Sequence, residues 1–183
     1  EFLLSEKKII SLISDSGTPL ISDPGKVLVN FCENNKINIY PIPGPSAVIT
    51  ALSVSGFSNK FYFHGFIAEK KTQILKDFEN LSSLDCSIVF FLSSKKMLKV
   101  IPLLKKYFYD RKIVICKELT KFYEEIIKCE VKNLNLDEII LKGEITIVIS
   151  HPFVKKNSEL ITESDKINIK KLLKKLSIKD TSE

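Results

Sequence analysis

The sequence predicts an α/β fold: two α/β domains, the first with an incomplete parallel sheet and the second a mixed sheet with flanking helices. Three observations carry this. Short apolar runs at residues 8–13, 37–40, 87–92, 112–116 and 145–149 alternate with amphipathic stretches of helical period. The first two runs each end in a loop rich in Gly and Pro. At Gly56-Phe57-Ser58-Asn59-Lys60 a cluster of turn residues marks a boundary. The expected organisation is a domain over 1–58, a second over 59–150, and a polar, Lys-rich tail with a short helix over 151–183.

In the first domain, Lys8-Ile9-Ile10-Ser11-Leu12-Ile13 reads as a buried parallel strand. The following loop contains Ser-Asp-x-Gly twice, at 14–17 and 22–25. Each copy is turn chemistry, because Ser and Asp bond the local backbone and Gly accepts positive φ. Asp23 is the expected N-cap and Pro24 the first residue of a helix carrying Val27, Leu28 and Phe31 on one face and ending at Asn34-Asn35. A second strand at 37–40 leads into Pro41-Ile42-Pro43-Gly44-Pro45, a stiff loop whose prolines remove three backbone donors and leave carbonyls unpaired. The helix expected over 46–55 has Ser46, Ala47, Thr50 and Ala51 on a face of little volume, open to a neighbouring strand or a flat ligand. In such βαβα units, ligands bind outside the carboxyl ends of the strands.

The second domain opens with an aromatic strand, Phe61-Tyr62-Phe63-His64-Gly65-Phe66, in which His64 reads as a half-buried strand residue. A helix with Ile74, Leu75, Phe78 and Leu81 on one face follows, then a buried strand at 87–92. Ser93-Ser94 suit the cap of a helix with Met97, Leu98, Ile101, Leu104 and Phe108 inward and Lys95, Lys96, Lys99, Lys105 and Lys106 outward. A strand at 112–116 precedes Lys117-Glu118-Leu119-Thr120-Lys121. Residues 123–131 alternate, as in an antiparallel strand with one wet side. A short helix or turn at 134–141 and Lys142-Gly143-Glu144 lead to the last strand.

Composition sets limits. The 183 residues carry a formal charge of +6, which suits an RNA partner, but 27 of the 28 basic residues are Lys, a bias that weakens this inference. Cys32, Cys86, Cys116 and Cys129 lack C-x-x-C spacing and read as free thiols in a reducing cytosol. His64 and His151 have no partner at metal-ligand spacing, so no metal site is expected. No apolar run approaches the ~18 residues of a membrane span, and a cytoplasmic protein without membrane association is expected.

The string from Ser14 to Gly25, followed by Pro43-Gly44-Pro45-Ser46-Ala47, closely resembles the bacterial 16S ribosomal RNA 2′-O-ribose methyltransferases, the small-subunit methyltransferase I family of the tetrapyrrole-methylase superfold. The aromatic Gly65-Phe66 segment is similar to the start of that family's second domain, and residues 117–121 to its Arg-Glu-Leu-Thr-Lys motif, with Lys117 in place of Arg. Leu92, Ser94 and Lys96 stand where the family usually has Glu, Pro and Arg. The resemblance implies an S-adenosylmethionine cofactor, a cytidine ribose in 16S rRNA of the small subunit as substrate, and a homodimer. It implies cofactor binding by Asp15, Gly17, Thr18, Pro19, Leu20, Pro43, Gly44, Pro45, Ser46, Ala47, Lys142, Gly143 and Glu144, and RNA binding by Lys95, Lys96, Lys117 and Lys121. Asp15 and Glu118 are the candidate catalytic groups, with Asp23 a further candidate proton acceptor. The family's longer amino-terminal portion has no counterpart before Glu1, so a truncated chain is expected. Two alternatives stay open: an inactive fragment that docks on rRNA, and a small-molecule methylase of the tetrapyrrole type.

Overall fold

A computed structural model describes residues 2–6, 8–135 and 143–153. Lys142, most of the turn expected at 134–141, and the tail from residue 154 onward lie outside these residues. Contacts divide the chain into Glu1–Pro152, which holds every element given below, and Phe153–Glu183.

The elements in order are α1 (Phe2–Ser5), α2 (Lys26–Asn34), α3 (Ala47–Ser55), β1 (Phe61–Phe66), α4 (Lys71–Ser82), β2 (Ser87–Ser93), α5 (Ser94–Phe108), β3 (Lys112–Lys117), β4 (Glu125–Glu130), a 3₁₀ turn (Val131–Asn133) and β5 (Glu144–Ile149). The five strands make one mixed sheet in the order β1-β2-β5-β3-β4. Only β1 and β2 run parallel; β5 is antiparallel to both β2 and β3, and β4 to β3. Among the described residues, the last strand in sequence is therefore the central one.

Alternation along the three middle strands builds two cores. Ile88, Phe90, Leu92, Ile113, Ile115, Ile145, Ile147 and Ile149 face α4 and α5, where Ile74, Phe78, Leu81, Met97, Ile101, Leu104 and Phe108 meet them. Val89, Val114, Cys116 and Val148 face the other way, onto Val48 and Ala51 of α3. Period-two burial on both faces is what continuous apolar strands require. Helix α3 presents Val48, Ala51 and Ser55 to the sheet, so at Ala51 the small face accommodates strands. β4 is half-buried and exposed by turns, as its alternation predicts. Arg111, the single arginine, is buried and donates to the carbonyls of Ser82 at 2.6 Å, Leu84 at 3.3 Å and Ser150 at 3.3 Å.

Several expectations need correction. The runs at 8–13 and 37–40 form no strand: Ile9 is 98% and Ile13 85% exposed, and Tyr40 is exposed too. The reason is hydrogen bonding. A strand is stable only beside partners, and among the described residues neither segment has one. The expected incomplete parallel sheet is thus absent from residues 8–45. Helix α2 begins at Lys26, with Gly25 at φ 135° as N-cap in place of Asp23, and Pro24 precedes the helix. Val27 is exposed and Cys32 is the buried residue of α2. On α5, Leu98 is exposed and Val100 takes the inward place.

Phe78 is fully buried, edge-on to Phe108 at 5.4 Å and to Tyr107 at 6.3 Å between ring centroids. Phe78→Ala should lower the unfolding free energy by about 3–5 kcal/mol, measured by denaturant titration. A loss under about 1 kcal/mol would contradict this core assignment.

Candidate functional site

The two Gly/Pro loops, far apart in sequence, meet in space. Thr18 Oγ1 donates to the Pro45 carbonyl at 3.0 Å. Within the first loop, Ser14 Oγ donates to the Gly17 carbonyl at 2.8 Å, the local bonding that the Ser-Asp-x-Gly pattern predicts. Gly17 has φ 78°, a conformation that favours glycine, and a Cβ placed there would stand 3.4 Å from the Pro45 carbonyl oxygen, at ordinary contact distance. A Cβ on Gly44 would lie 3.8 Å from Thr18 Oγ1. Leu20 and Ser22 also adopt positive φ, 73° and 66°, each held against an intrinsic preference of about 1 kcal/mol or more.

Around this junction Asp15, Gly17, Leu20, Pro43, Gly44, Pro45 and Ala47 are exposed, and Thr18, Pro19 and Ser46 are half-buried. Ser46 caps α3, its Oγ accepting from the Ile49 amide at 3.5 Å. The sequence did not signal the link to the second half. Ser22 Oγ lies 3.8 Å from where a Cβ on Gly65 would be, beside the bulge that shifts the β1–β2 register between Phe63 and Gly65. Asp23 is half-buried.

A second cluster forms where β3 ends beside the start of β5. The Glu118 amide donates to the Glu144 carbonyl at 3.0 Å, and the Glu144 amide returns a bond to Glu118 Oε1 at 2.7 Å. Lys121 Nζ reaches Glu144 Oε2 at 2.9 Å and Glu118 Oε1 at 3.4 Å. Gly143, at φ 89°, lies so close under the Glu118 side chain that any Cβ there would collide with it. Glu118 and Thr120 hold φ of 48° and 64°. The Thr120 amide donates to Glu124 Oε2 at 2.6 Å, which helps keep the turn in this conformation. The hydrogen bond from the Glu144 amide, and next that from Lys121, hold the Glu118 carboxyl below the ordinary glutamate value. A carboxylate so held is a weak proton acceptor and a firm anchor.

The lysines singled out in the sequence differ in their surroundings. Lys117 is 7% exposed and its ammonium meets Glu125 at 3.1 Å, inside the sheet edge instead of in solvent. Lys96 donates to the Ile67 carbonyl at 3.2 Å and pairs with Glu69 at 3.4 Å. Lys95 is exposed on the first turn of α5, and Lys121 sits in the carboxylate pair above. His64 Nε2 lies 3.5 Å from Asp77 Oδ2, linking β1 to α4. Burial pushes the Cys116 thiol up to about 11, which makes it inert. Among the described residues no cluster of three metal-ligating side chains occurs, and no helix is long and apolar enough to cross a membrane.

The α/β arrangement is shared with solved structures. The methyltransferase CobJ shares the fold with a TM-score of 0.61 at 16% identity, over 82% of this chain and 67% of that one. Diphthine synthase does so with a TM-score of 0.57 at 14% identity, over 73% and 57%. The family described as Tetrapyrrole (Corrin/Porphyrin) Methylases matches residues 1–135, and the chain belongs to that family. Curated relatives named ribosomal RNA small subunit methyltransferase I are similar over most of the chain. The one from Leptospira biflexa is 36% identical over 150 residues, 81% of this chain and 62% of its own length. The one from Buchnera aphidicola is 40% identical over 167 residues, 88% and 57%. The chain thus spans about three fifths of the length of these relatives.

The Glu118 bonds imply a pH dependence. A depressed folded value means that their contribution is complete above the unfolded glutamate value and is lost as pH falls through the lower folded one. The Glu118 carboxyl carbon, followed by NMR, should titrate below the ordinary glutamate midpoint. A midpoint at or above it would contradict the Glu144 bond.

Proposed function

We propose that this chain carries the methyl-transfer site of an S-adenosylmethionine-dependent enzyme that methylates a cytidine 2′-oxygen in 16S rRNA of the small ribosomal subunit. The observation that carries the reading is the Thr18–Pro45 contact, which brings the two motif loops into one surface. The names of the relatives add the RNA class of substrate. A cytoplasmic location and a homodimer belong to the same proposal.

The residues fit the cofactor. Gly17 and Gly44 leave the junction without side-chain bulk. Pro41 and Pro43 supply carbonyls suited to the adenine and methionine amino groups, while the Pro45 carbonyl is taken by Thr18 Oγ1. The amides of Ala47 and Val48, at the start of α3 inside the Ser46 cap, suit the methionine carboxylate. Residues 1–58 would form one wall of the cleft and residues 59–150 the other, with Gly143 and Glu144 near the adenosine, where the sequence also assigned Lys142. The sulfonium supplies an already activated methyl group, so the protein's task is alignment, where effective molarities of ~10⁵ M or more are available. In this reading Glu118 holds Lys121 and the Gly143–Glu144 backbone in place. Exposed Asp15, beside Gly17, takes the 2′-hydroxyl proton, a contribution of ~10²-fold or more.

Gly17→Val adds branched bulk at positive φ against Pro45. It should weaken S-adenosylmethionine binding by tenfold or more in calorimetry while circular dichroism stays unchanged; unaltered affinity would remove Gly17 from the site. For the reaction, small subunits lacking the modification are incubated with the chain and methyl-labelled S-adenosylmethionine. Label in an alkali-resistant dinucleotide of 16S rRNA is the expected result. No label in the RNA with cofactor bound would overturn the RNA reading, and label in a tetrapyrrole supplied in a parallel incubation would replace it.

A further inference from the structure

Helix α5 carries five lysines, Lys95, Lys96, Lys99, Lys105 and Lys106, and no carboxylate over its 15 residues. The whole chain holds 28 basic and 22 acidic residues, so a general preference for Lys over Arg does not account for this segregation. Lys95, Lys99, Pro102 and Lys106 stand at i, i+4, i+7 and i+11, a spacing that stacks them in one narrow stripe, and all four are exposed. Among the described residues, Lys95 and Lys99 have no ion-pair partner. Lys106 Nζ lies 4.8 Å over the ring of Tyr107, next to it in the chain. Glu69 pairs with Lys96 at 3.4 Å, and Asp110 follows the helix. Even with both counted, ammonium groups outnumber carboxylates five to two. Helix stability does not call for this pattern. Lys95 and Lys96 sit in the first turn, at the positive end of the helix dipole, where acids are preferred, and Lys95 repels Lys99 one turn on. A polyanion laid along the stripe relieves both effects.

The stripe starts beside the candidate site. Ser93, the residue before α5, pairs with Glu144, and Lys117 pairs with Ile145. Helix α5 therefore begins at the end of the sheet that bears the Glu118 cluster. Strand β1, parallel to β2, ends there too, where Gly65 approaches Ser22 of the first motif loop. From Lys95 the stripe extends about 16 Å to Lys106, at a helical rise of about 1.5 Å per residue.

We infer that Lys95, Lys99 and Lys106 form a docking stripe for the phosphate backbone of the RNA substrate, a deepening that rests on the RNA reading above. Ammonium groups are point charges that hold phosphates without reading bases. The stripe thus positions the strand and leads it to the end of the sheet where Glu118 and the Ser22 loop lie, and leaves the choice of nucleotide to other residues. A lipid surface fits less well. The apolar face that a membrane-lying helix would insert, with Met97, Val100, Ile101, Leu104 and Phe108, is already buried in the core.

The probe is a 5′-labelled RNA stem-loop, titrated with the full chain over a range of salt concentrations. Lys95, Lys99 and Lys106 are changed together to Gln, which removes the charge and keeps most of the side-chain bulk. A control changes Lys8, Lys36 and Lys60, exposed lysines outside α5, in the same way, so that net charge falls equally. In the α5 variant the slope of log affinity against log salt should become shallower by about two or three, and affinity at about 0.1 M salt should fall about tenfold or more. The control should keep the parent slope, as should a variant with Arg at the three α5 positions. A parent slope in the Gln variant of α5, with RNA still bound, would overturn the stripe and leave the RNA reading intact. An equal loss in the control would also overturn it, since net charge alone would then explain binding. Loss of binding to phosphatidylserine vesicles with RNA binding unchanged would assign the stripe to a lipid surface instead. No RNA binding by the folded parent would overturn both the stripe and the RNA reading.

Discussion

The insertion of β5 between β2 and β3 is the constraint on which the rest of the structure depends. Without it, the β1–β2 pair and the β3–β4 pair are separate two-stranded ribbons, each marginal in water. With it, Ile145, Ile147 and Ile149 complete the core under α4 and α5, and Val148 completes the one under α3. Arg111 reinforces the closure, because one guanidinium bridges the end of α4 at Ser82, the loop at Leu84, and Ser150 just beyond β5. The same insertion creates the Glu118 cluster. Gly143 and Glu144 enter the sheet alongside the end of β3, and their backbone gives Glu118 and Lys121 something to hold. Stability of the sheet and geometry of the second site element are thus one event.

The first site element obeys a different constraint. Residues 8–45 contribute no strand, and their order comes from loop-to-loop bonds and helices. Thr18 and Pro45 join the two motif loops, and Ser22 touches the β1 bulge at Gly65. Helix α3 provides the anchor: Ala51 buries against the sheet, and Ser46, one turn earlier, turns the chain into the Pro/Gly loop. The smallness of Ala51 brings the start of α3 close to the sheet. The loops are therefore held on the same body as the Glu118 turn.

Much of the second half was legible in the sequence because its elements carry their own periodicity. Phe61–Phe66, Ser87–Ser93, Lys112–Lys117 and Glu144–Ile149 are strands where apolar runs end in turn residues, and the Glu125–Glu130 alternation gave a half-wet edge. The runs at 8–13 and 37–40 misled for a physical reason: composition reports what a strand can bury, and says nothing of whether a partner is there to pair with it. Asp23-Pro24 has good capping chemistry, yet Leu12 and Leu20 pack over Gly25, and the helix starts beyond it. In the candidate site, the meeting of the two loops was foreshadowed by their shared Gly- and Pro-rich chemistry ahead of a helix, although the strands expected before them are absent. The burial of Lys117 against Glu125 was not, since a lysine ending a strand reads as exposed until its cross-strand partner is known. The alternation that begins at Tyr123 becomes a strand only from Glu125, because residues 118–124 make the turn.

The central claim is that residues 14–25 and 41–47 form a single cofactor-binding surface. Amide chemical-shift mapping of the isotopically labelled chain during titration with S-adenosylmethionine tests it most directly. Saturable shifts at Gly17, Thr18, Gly44, Ser46 and Ala47, moving together with one affinity, are the expected result. Shifts confined to other elements, or none from a chain whose spectrum shows it folded, would contradict it.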